Sequence, residues 1–206
     1  MVRKKEIGFQ GQFITLFIVG FSLFVYCFPH LSTLFVYHRS AILDGEIWRL
    51  FTAPFVHFSA SHIFWDVLVF GVAGFAVNIS GFRRFWIVCC LAAIIPGLLF
   101  LQVFPDLEYY GGLSGLATGA VTYYCLCAIF LTERKRQIWI LILIFIAMKI
   151  FIEITLNESV FVRTGTANFR VLPSAHIVGC LGAIVALVWT SPQNPITHKK
   201  TKWRHQ

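Results

Sequence analysis

Ser114 stands between glycines in Gly112-Leu113-Ser114-Gly115, at the head of an apolar run that continues to Leu131. A hydroxyl on an apolar helix ordinarily bonds back to its own backbone. Here a partner of another kind exists: His176, on a separate apolar run, in Ala175-His176-Ile177-Val178-Gly179. A serine and a histidine where water is scarce are the minimum equipment for nucleophilic catalysis. The hydroxyl would attack as the imidazole takes its proton. Sixty-one residues of chain separate the two in sequence, so the elements between them must bring them together.

Those elements belong in a membrane. The 206 residues are 58% hydrophobic and 13% charged, and mean hydropathy is +0.77. A soluble domain carries about 25% charged residues. The 22 phenylalanines and only 7 prolines exclude a disordered chain, and no repeat of solenoid length is present. The six cysteines all lie in apolar runs or at their edges. They read as small buried hydrophobes, not as a disulfide or zinc framework. Arg3-Lys4-Lys5 before Phe13 to Phe28 resembles a signal peptide, but no small-residue cleavage site follows. The segment is expected to stay as a first helix.

Apolar runs of roughly 20 residues can cross a bilayer as helices. Six are present, at about 11–28, 61–79, 85–104, 112–131, 138–156 and 171–190. Residues 1–10 and 191–206 are expected as cytoplasmic tails flanking a membrane domain at 11–190. The loop 29–60 carries Glu46-Ile47-Trp48-Arg49-Leu50-Phe51 and Pro54-Phe55, apolar enough to lie in or on the membrane. With the N-terminus in the cytoplasm, twelve of the 17 lysines and arginines fall inside and four outside, while Lys149 lies within a run. The positive-inside rule selects that orientation, with both termini cytoplasmic. The net charge of +8 then faces anionic lipid and requires no nucleic acid.

This topology places the chemistry. The second, fourth and sixth runs all start at the outer surface. His62 and Asp66 fall in the first turns of the second run, Ser114 at the start of the fourth and His176 about five residues into the sixth. At 1.5 Å per residue they share a layer within roughly 10 Å of depth. Three positive helix ends point into it, which favours a developing negative charge. Gly115-Leu116-Ala117-Thr118-Gly119 is a small-xxx-small stretch, and Gly179 and Gly182 lie on the sixth run. Small faces let two helices pack backbone to backbone. Lys149 and Glu153, four apart on the fifth run, can neutralise each other as a structural ion pair, the reading preferred over a catalytic role, and Glu153 would reach the same outer layer.

Together these residues resemble the rhomboid family of intramembrane serine proteases. The likeness lies in Trp48-Arg49 of the first loop and in His57-Phe58-Ser59-Ala60-Ser61-His62 before the second run. It continues in Gly112-Leu113-Ser114-Gly115 with Gly119, and in Ala175-His176 with Gly179. The order matches the family, within an all-α, six-helix membrane bundle with a long membrane-associated first loop. The short chain, Tyr110-Gly111-Gly112-Leu113-Ser114-Gly115 and the Lys149/Glu153 pair are most similar to the rhombosortase-like branch. That resemblance implies substrates with a C-terminal sorting tail, in a bacterial inner membrane.

The resemblance implies Ser114 as nucleophile and His176 as general base, a dyad that needs no orienting carboxylate and no cofactor. The Ser114 backbone N–H and the His62 side chain would hold the oxyanion. It also implies a membrane-anchored protein as substrate and lipid as surroundings. Trp48 and Arg49 would anchor the first loop. Where the family commonly has asparagine four residues after the second histidine, this chain has Asp66. An ionised carboxylate cannot donate a hydrogen bond. Either burial keeps Asp66 protonated so that it donates, or it pairs with His62 one turn away and holds that ring cationic. Some rhombosortase-like chains carry Trp-Asp here, as in Trp65-Asp66.

Other classes compete. A catalytically inactive rhomboid-like protein that binds membrane segments is favoured by Asp66 and opposed by the retention of Ser114 and His176. His57, His62, Asp66 and His176 could ligate zinc, yet neither His-Glu-x-x-His nor a dense histidine cluster is present, so no metal is expected. His57 itself reads equally as a shaper of the cavity mouth or as a solvated interface histidine. The halves show no inverted repeat of the transporter kind. Tyr109 and Tyr110 read as interface anchors, and Pro96-Gly97 as a helix kink.

Overall fold

In the computed structural model, residues 2–132, 135–156 and 172–190 are described, with side chains within 12–131, 135–156 and 172–189. The tail 191–206 and Arg134, Arg163 and Arg170 of the charge argument lie outside them.

Each of the six apolar runs is a helix. α1 covers Val2–Cys27, so residues 2–10 continue the first helix. Pro29 opens α2, Pro29–Phe35, at a position where its missing N–H costs nothing. The first loop continues through β1 (Tyr37–His38), α3 (Arg39–Leu43), α4 (Arg49–Thr52) and a 3₁₀ turn over Ala53–Phe55. Then come α5 (Ala60–Ile79), α6 (Phe85–Val103), β2 (Tyr109–Tyr110), α7 (Ser114–Cys127), α8 (Arg136–Leu156) and α9 (Pro173–Thr190). A π-helical turn over Ala128–Thr132 extends α7.

Four of these, Ala60–Ile79, Phe85–Val103, Ser114–Leu131 and Arg136–Leu156, are each long and apolar enough to cross a bilayer. Gln12–Cys27 with Pro29–Phe35 makes a fifth, bent by 113°. Pro173–Trp189 is a shorter apolar helix, about 26 Å at 1.5 Å per residue. The architecture is an all-α membrane bundle.

The first loop is a folded element, held by its two polar anchors. Arg49 is buried. Its Nε donates to Glu46 Oε2 at 2.6 Å, and its Nη1 donates to the carbonyls of Thr33 and Val36 at 2.7 and 2.9 Å. Trp48 Nε1 donates to Leu34 O at 3.2 Å, and Thr52 Oγ1 to Phe35 O at 2.9 Å. β1 pairs antiparallel with β2, Tyr37 opposite Tyr110, which ties this loop to the approach of α7. Tyr109 is exposed and stacks on His38, as an interface residue would. Tyr110 is not an interface anchor. It is buried, edge-to-face with Phe100 at 4.7 Å and Tyr37 at 6.4 Å, because β pairing turns alternate side chains to opposite sides. α6 runs through Pro96 without a break. The role of Gly97 is close approach, since a Cβ there would collide with the Leu50 carbonyl of the first loop. All six thiols are free. Cys89, Cys125 and Cys127 are buried, whereas Cys27 and Cys90 are exposed on the helix surfaces.

α7 is the hub and packs on α9, α5 and α6. Its contact with α9 is backbone on backbone. A Cβ on Gly115 would sit 2.9 Å from the Ala175 carbonyl oxygen, and one on Gly119 2.9 Å from that of Gly179. A Cβ on Gly179 would collide with the Gly115 carbonyl. Gly182 instead faces Leu91 of α6. α5 is joined to α1 by Asn78 Nδ2 donating to Thr15 Oγ1 at 3.1 Å. α8 is peripheral, and Leu141, Phe145 and Phe151 point outward, as suits hydrocarbon. Among its described residues only Glu153 is buried.

The α7–α9 contact makes a direct prediction. Gly179→Val should force the helices apart and destabilise the bundle by about 1–3 kcal/mol, read as a fall of several degrees in Tm in detergent. Gly20→Ala, where a Cβ would meet nothing within 4 Å, should leave Tm unchanged.

Candidate active site

Local sequence sets each wall of the site. Ser59 is extended and caps α5, its Oγ accepting from the His62 N–H at 3.2 Å. This cap starts the helix so that His62 and Asp66 lie one turn apart on one face. Gly112 adopts φ +127°, a conformation that favours glycine, and its N–H donates to Ala53 O at 3.2 Å. A Cβ there would sit 2.6 Å from His62 Nε2 and 3.5 Å from Asp66 Oδ2. The missing side chain is therefore what lets the α7 entry lie against His62. Ser114 follows as the first residue of α7 and is partly exposed. Its amide N–H belongs to the group that a helix cannot satisfy internally.

His176 is 3% exposed and lies one residue after the Ala175 carbonyl that meets Gly115. Ser114 and His176 therefore each adjoin the Gly115–Ala175 contact between α7 and α9. No hydrogen bond joins the two among the described residues. Catalytic contacts in an empty site are often looser than in a complex. The other edge of the imidazole is occupied. Nδ1 is 3.0 Å from Glu153 Oε2 and 3.3 Å from Lys149 Nζ. Lys149 Nζ also donates to both Glu153 oxygens at 2.8 Å. The expected α8 ion pair is present, and beyond it a carboxylate reaches the ring that the family resemblance left without one. The signal available in the sequence was depth, since Glu153 falls in the outer layer that holds Ser114 and His176.

Across α7, a second cluster forms on and before α5. Asp66 Oδ2 lies 3.2 Å from His57 Nε2 and 3.3 Å from His62 Nε2. His57 Nδ1 is 3.3 Å from Phe55 O, and the Leu113 N–H is aimed at His57 Nε2 at 3.3 Å. His57 is buried, so it is not a solvated interface histidine. Burial pushes its imidazole below the ordinary range for histidine. Sequence reading left this residue undecided because its burial depends on the first loop folding over it.

The three ligand-capable atoms of His57, His62 and Asp66 lie within 4.8 Å of one another. His176 is outside that group, held by Glu153 and Lys149. A metal would need the His57 Nε2 lone pair, whereas that nitrogen either donates to Asp66 Oδ2 or accepts from the Leu113 N–H. The donor set therefore fits a hydrogen-bonded wall of the α7 entry better than a metal centre.

Comparison with known proteins agrees with this architecture. A rhomboid domain model matches residues 44–193, most of the chain. Over 83 residues the chain is 31% identical to the rhomboid protease GlpG of Salmonella newport (strain SL254) and, to the same extent, to that of Salmonella typhi. The matched stretch covers 40% of this chain and 29% of each relative, so the chain spans less than a third of the curated relatives it matches. An integral membrane bundle of this form, matched over most of its length by that domain, belongs to the rhomboid family.

Proposed function

We propose that the protein is an intramembrane serine endopeptidase that cleaves membrane-anchored proteins near the outer face, with Ser114 as nucleophile and His176 as general base. The observation that carries this reading is the seam of Gly115 against the Ala175 carbonyl. It holds the two residues that could do the chemistry beside one helix–helix contact, at the entry of α7.

The steps follow from the groups present. The Ser114 Oγ–H proton passes to His176 Nε2 as Oγ bonds to the substrate carbonyl carbon, and the carbonyl π electrons move onto its oxygen. The Ser114 N–H and the His62 ring donate to that oxyanion. On collapse the C–N bond breaks, and the leaving amine takes the proton from His176. Water then attacks the acyl-serine, again giving its proton to His176, and releases the new carboxyl end. A substrate helix must unwind locally to present its carbonyl, so small or helix-breaking residues suit the cleaved bond.

Asp66 acts through its histidines in this reading. Its 3.3 Å contact with His62 Nε2 is longer than a well-formed N–H···O bond. The carboxylate thus orients the His62 ring while leaving it able to turn an N–H to the oxyanion. The resemblance of Tyr110–Gly115 and of Lys149/Glu153 to the rhombosortase-like branch narrows the substrate to proteins with a C-terminal sorting tail. The excess of lysine and arginine on one side of the apolar runs supports cytoplasmic termini, and the size of the chain and the family resemblance support a bacterial inner membrane. A second reading, a rhomboid-like binder of membrane segments without catalysis, is favoured by the Asp66 carboxylate.

A fluorophosphonate probe on intact membranes separates the two readings. The protease labels on serine. Ser114→Ala abolishes labelling, and His176→Ala slows it by about 10³-fold or more; no labelling of the wild-type protein supports the binder. Asp66→Leu should slow cleavage by about 10²-fold. Asp66→Asn should lose less, because its amide oxygen still accepts from His62, and initial rates on a membrane-anchored reporter measure the difference.

A further inference from the structure

We infer that Glu153 completes a Ser114–His176–Glu153 triad across α7, α9 and α8, with Glu153 as the positioning residue that fixes the Nδ1–H tautomer of His176. The inference rests on the Ser114–His176 reading and adds to it a member that the dyad does not contain.

Burial makes the first argument. Glu153 is 2% exposed on a helix that otherwise turns its described side chains to lipid or to partly open positions. An ionisable group in a membrane helix is expensive. One ion pair with Lys149 could be made nearer the helix surface, where Lys149 already has one fifth of its side chain exposed. Instead the carboxylate points inward until Oε2 is 3.0 Å from His176 Nδ1.

Geometry makes the second. An imidazole that takes a proton on Nε2 must carry its own hydrogen on Nδ1. A carboxylate at Nδ1 selects that tautomer, orients the ring and stabilises the imidazolium formed as serine attacks. Glu153 stays ionised throughout; it accepts a hydrogen bond and takes no proton. Lys149 gives both Glu153 oxygens a donor at 2.8 Å, which offsets the cost of an isolated buried carboxylate. Lys149 Nζ is itself 3.3 Å from Nδ1. If it donated there it would select the opposite tautomer, so the two α8 side chains make opposite demands on one nitrogen. The shorter contact and the opposite charge favour Glu153.

The charged or titratable groups that face His176 from α8 are Lys149 and Glu153. On the other helices packed against α9, neither Phe85–Val103 of α6 nor Ser114–Cys127 of α7 contains Asp, Glu, Lys, Arg or His.

The test is the rate of fluorophosphonate labelling of the full chain in membranes. Glu153→Gln should slow labelling by about 10²–10⁴-fold, the scale of a wrong-tautomer histidine. Glu153→Gln combined with Lys149→Met, which leaves no unpaired charge, should be equally slow. A wild-type rate in Glu153→Gln, or recovery to within about twofold of wild type in the double variant, would overturn the triad and leave Glu153 as a counter-ion for Lys149. ¹⁵N NMR of the unmutated protein, with His176 assigned by its loss in His176→Gln, reads the tautomer without relying on the fold of any variant. Protonated Nδ1 supports the inference and protonated Nε2 overturns it. Failure of the wild type to label would instead sink the protease reading, and the NMR result would still decide the Glu153–His176 bond.

Discussion

α7 and α9 touch backbone to backbone because Gly115, Gly119 and Gly179 carry no Cβ, and the candidate site depends on that contact. In a bilayer no hydrophobic force drives two apolar helices together, so close van der Waals fit must do it. A methyl group on Gly115, Gly119 or Gly179 would meet a carbonyl oxygen of the opposite helix. The seam therefore fixes both the spacing of the helices and their register. Register is what matters for chemistry, since one residue of slip moves a side chain about 100° around its helix.

The other parts of the molecule set the approaches to this seam. The first loop, held by Arg49 and Trp48, delivers the Ala53 carbonyl to Gly112 and brings His57 over the α7 entry. The β1–β2 pairing and the Tyr37–Phe100–Tyr110 cluster join that loop to the segment before Ser114. α8 makes little packing of its own, yet it sends one carboxylate inward to His176. Two buried carboxylates thus stand on either side of α7, Asp66 among histidines and Glu153 between a lysine and a histidine. Each has cationic or N–H partners at hydrogen-bond or ion-pair distance, which is the condition for keeping such groups out of water.

Much of this was legible before any coordinates. Hydropathy located all six helices, five of them to within a few residues, because a backbone in lipid has no choice but to satisfy itself as a helix. α1 starts at Val2, nine residues before its apolar run. The role of Trp48 and Arg49 as anchors and the small-residue faces also followed from sequence. The interior of the first loop did not, because short helices and a two-residue strand leave no period to read. Tyr110 looked like an interface anchor because its pairing partner, Tyr37, is 73 residues away in sequence. Gly97 serves the approach of Leu50, a contact that no local pattern encodes.

The chain by itself determined its solvent, its helices and the residue types able to do chemistry, because these depend on composition and on periodicities of a few residues. Only the tertiary structure decided which of those residues meet. His57 at Asp66 and Glu153 at His176 are contacts between separate elements. Their existence depends on helix rotation and loop closure, which arise from the packing of the whole bundle and not from any one segment.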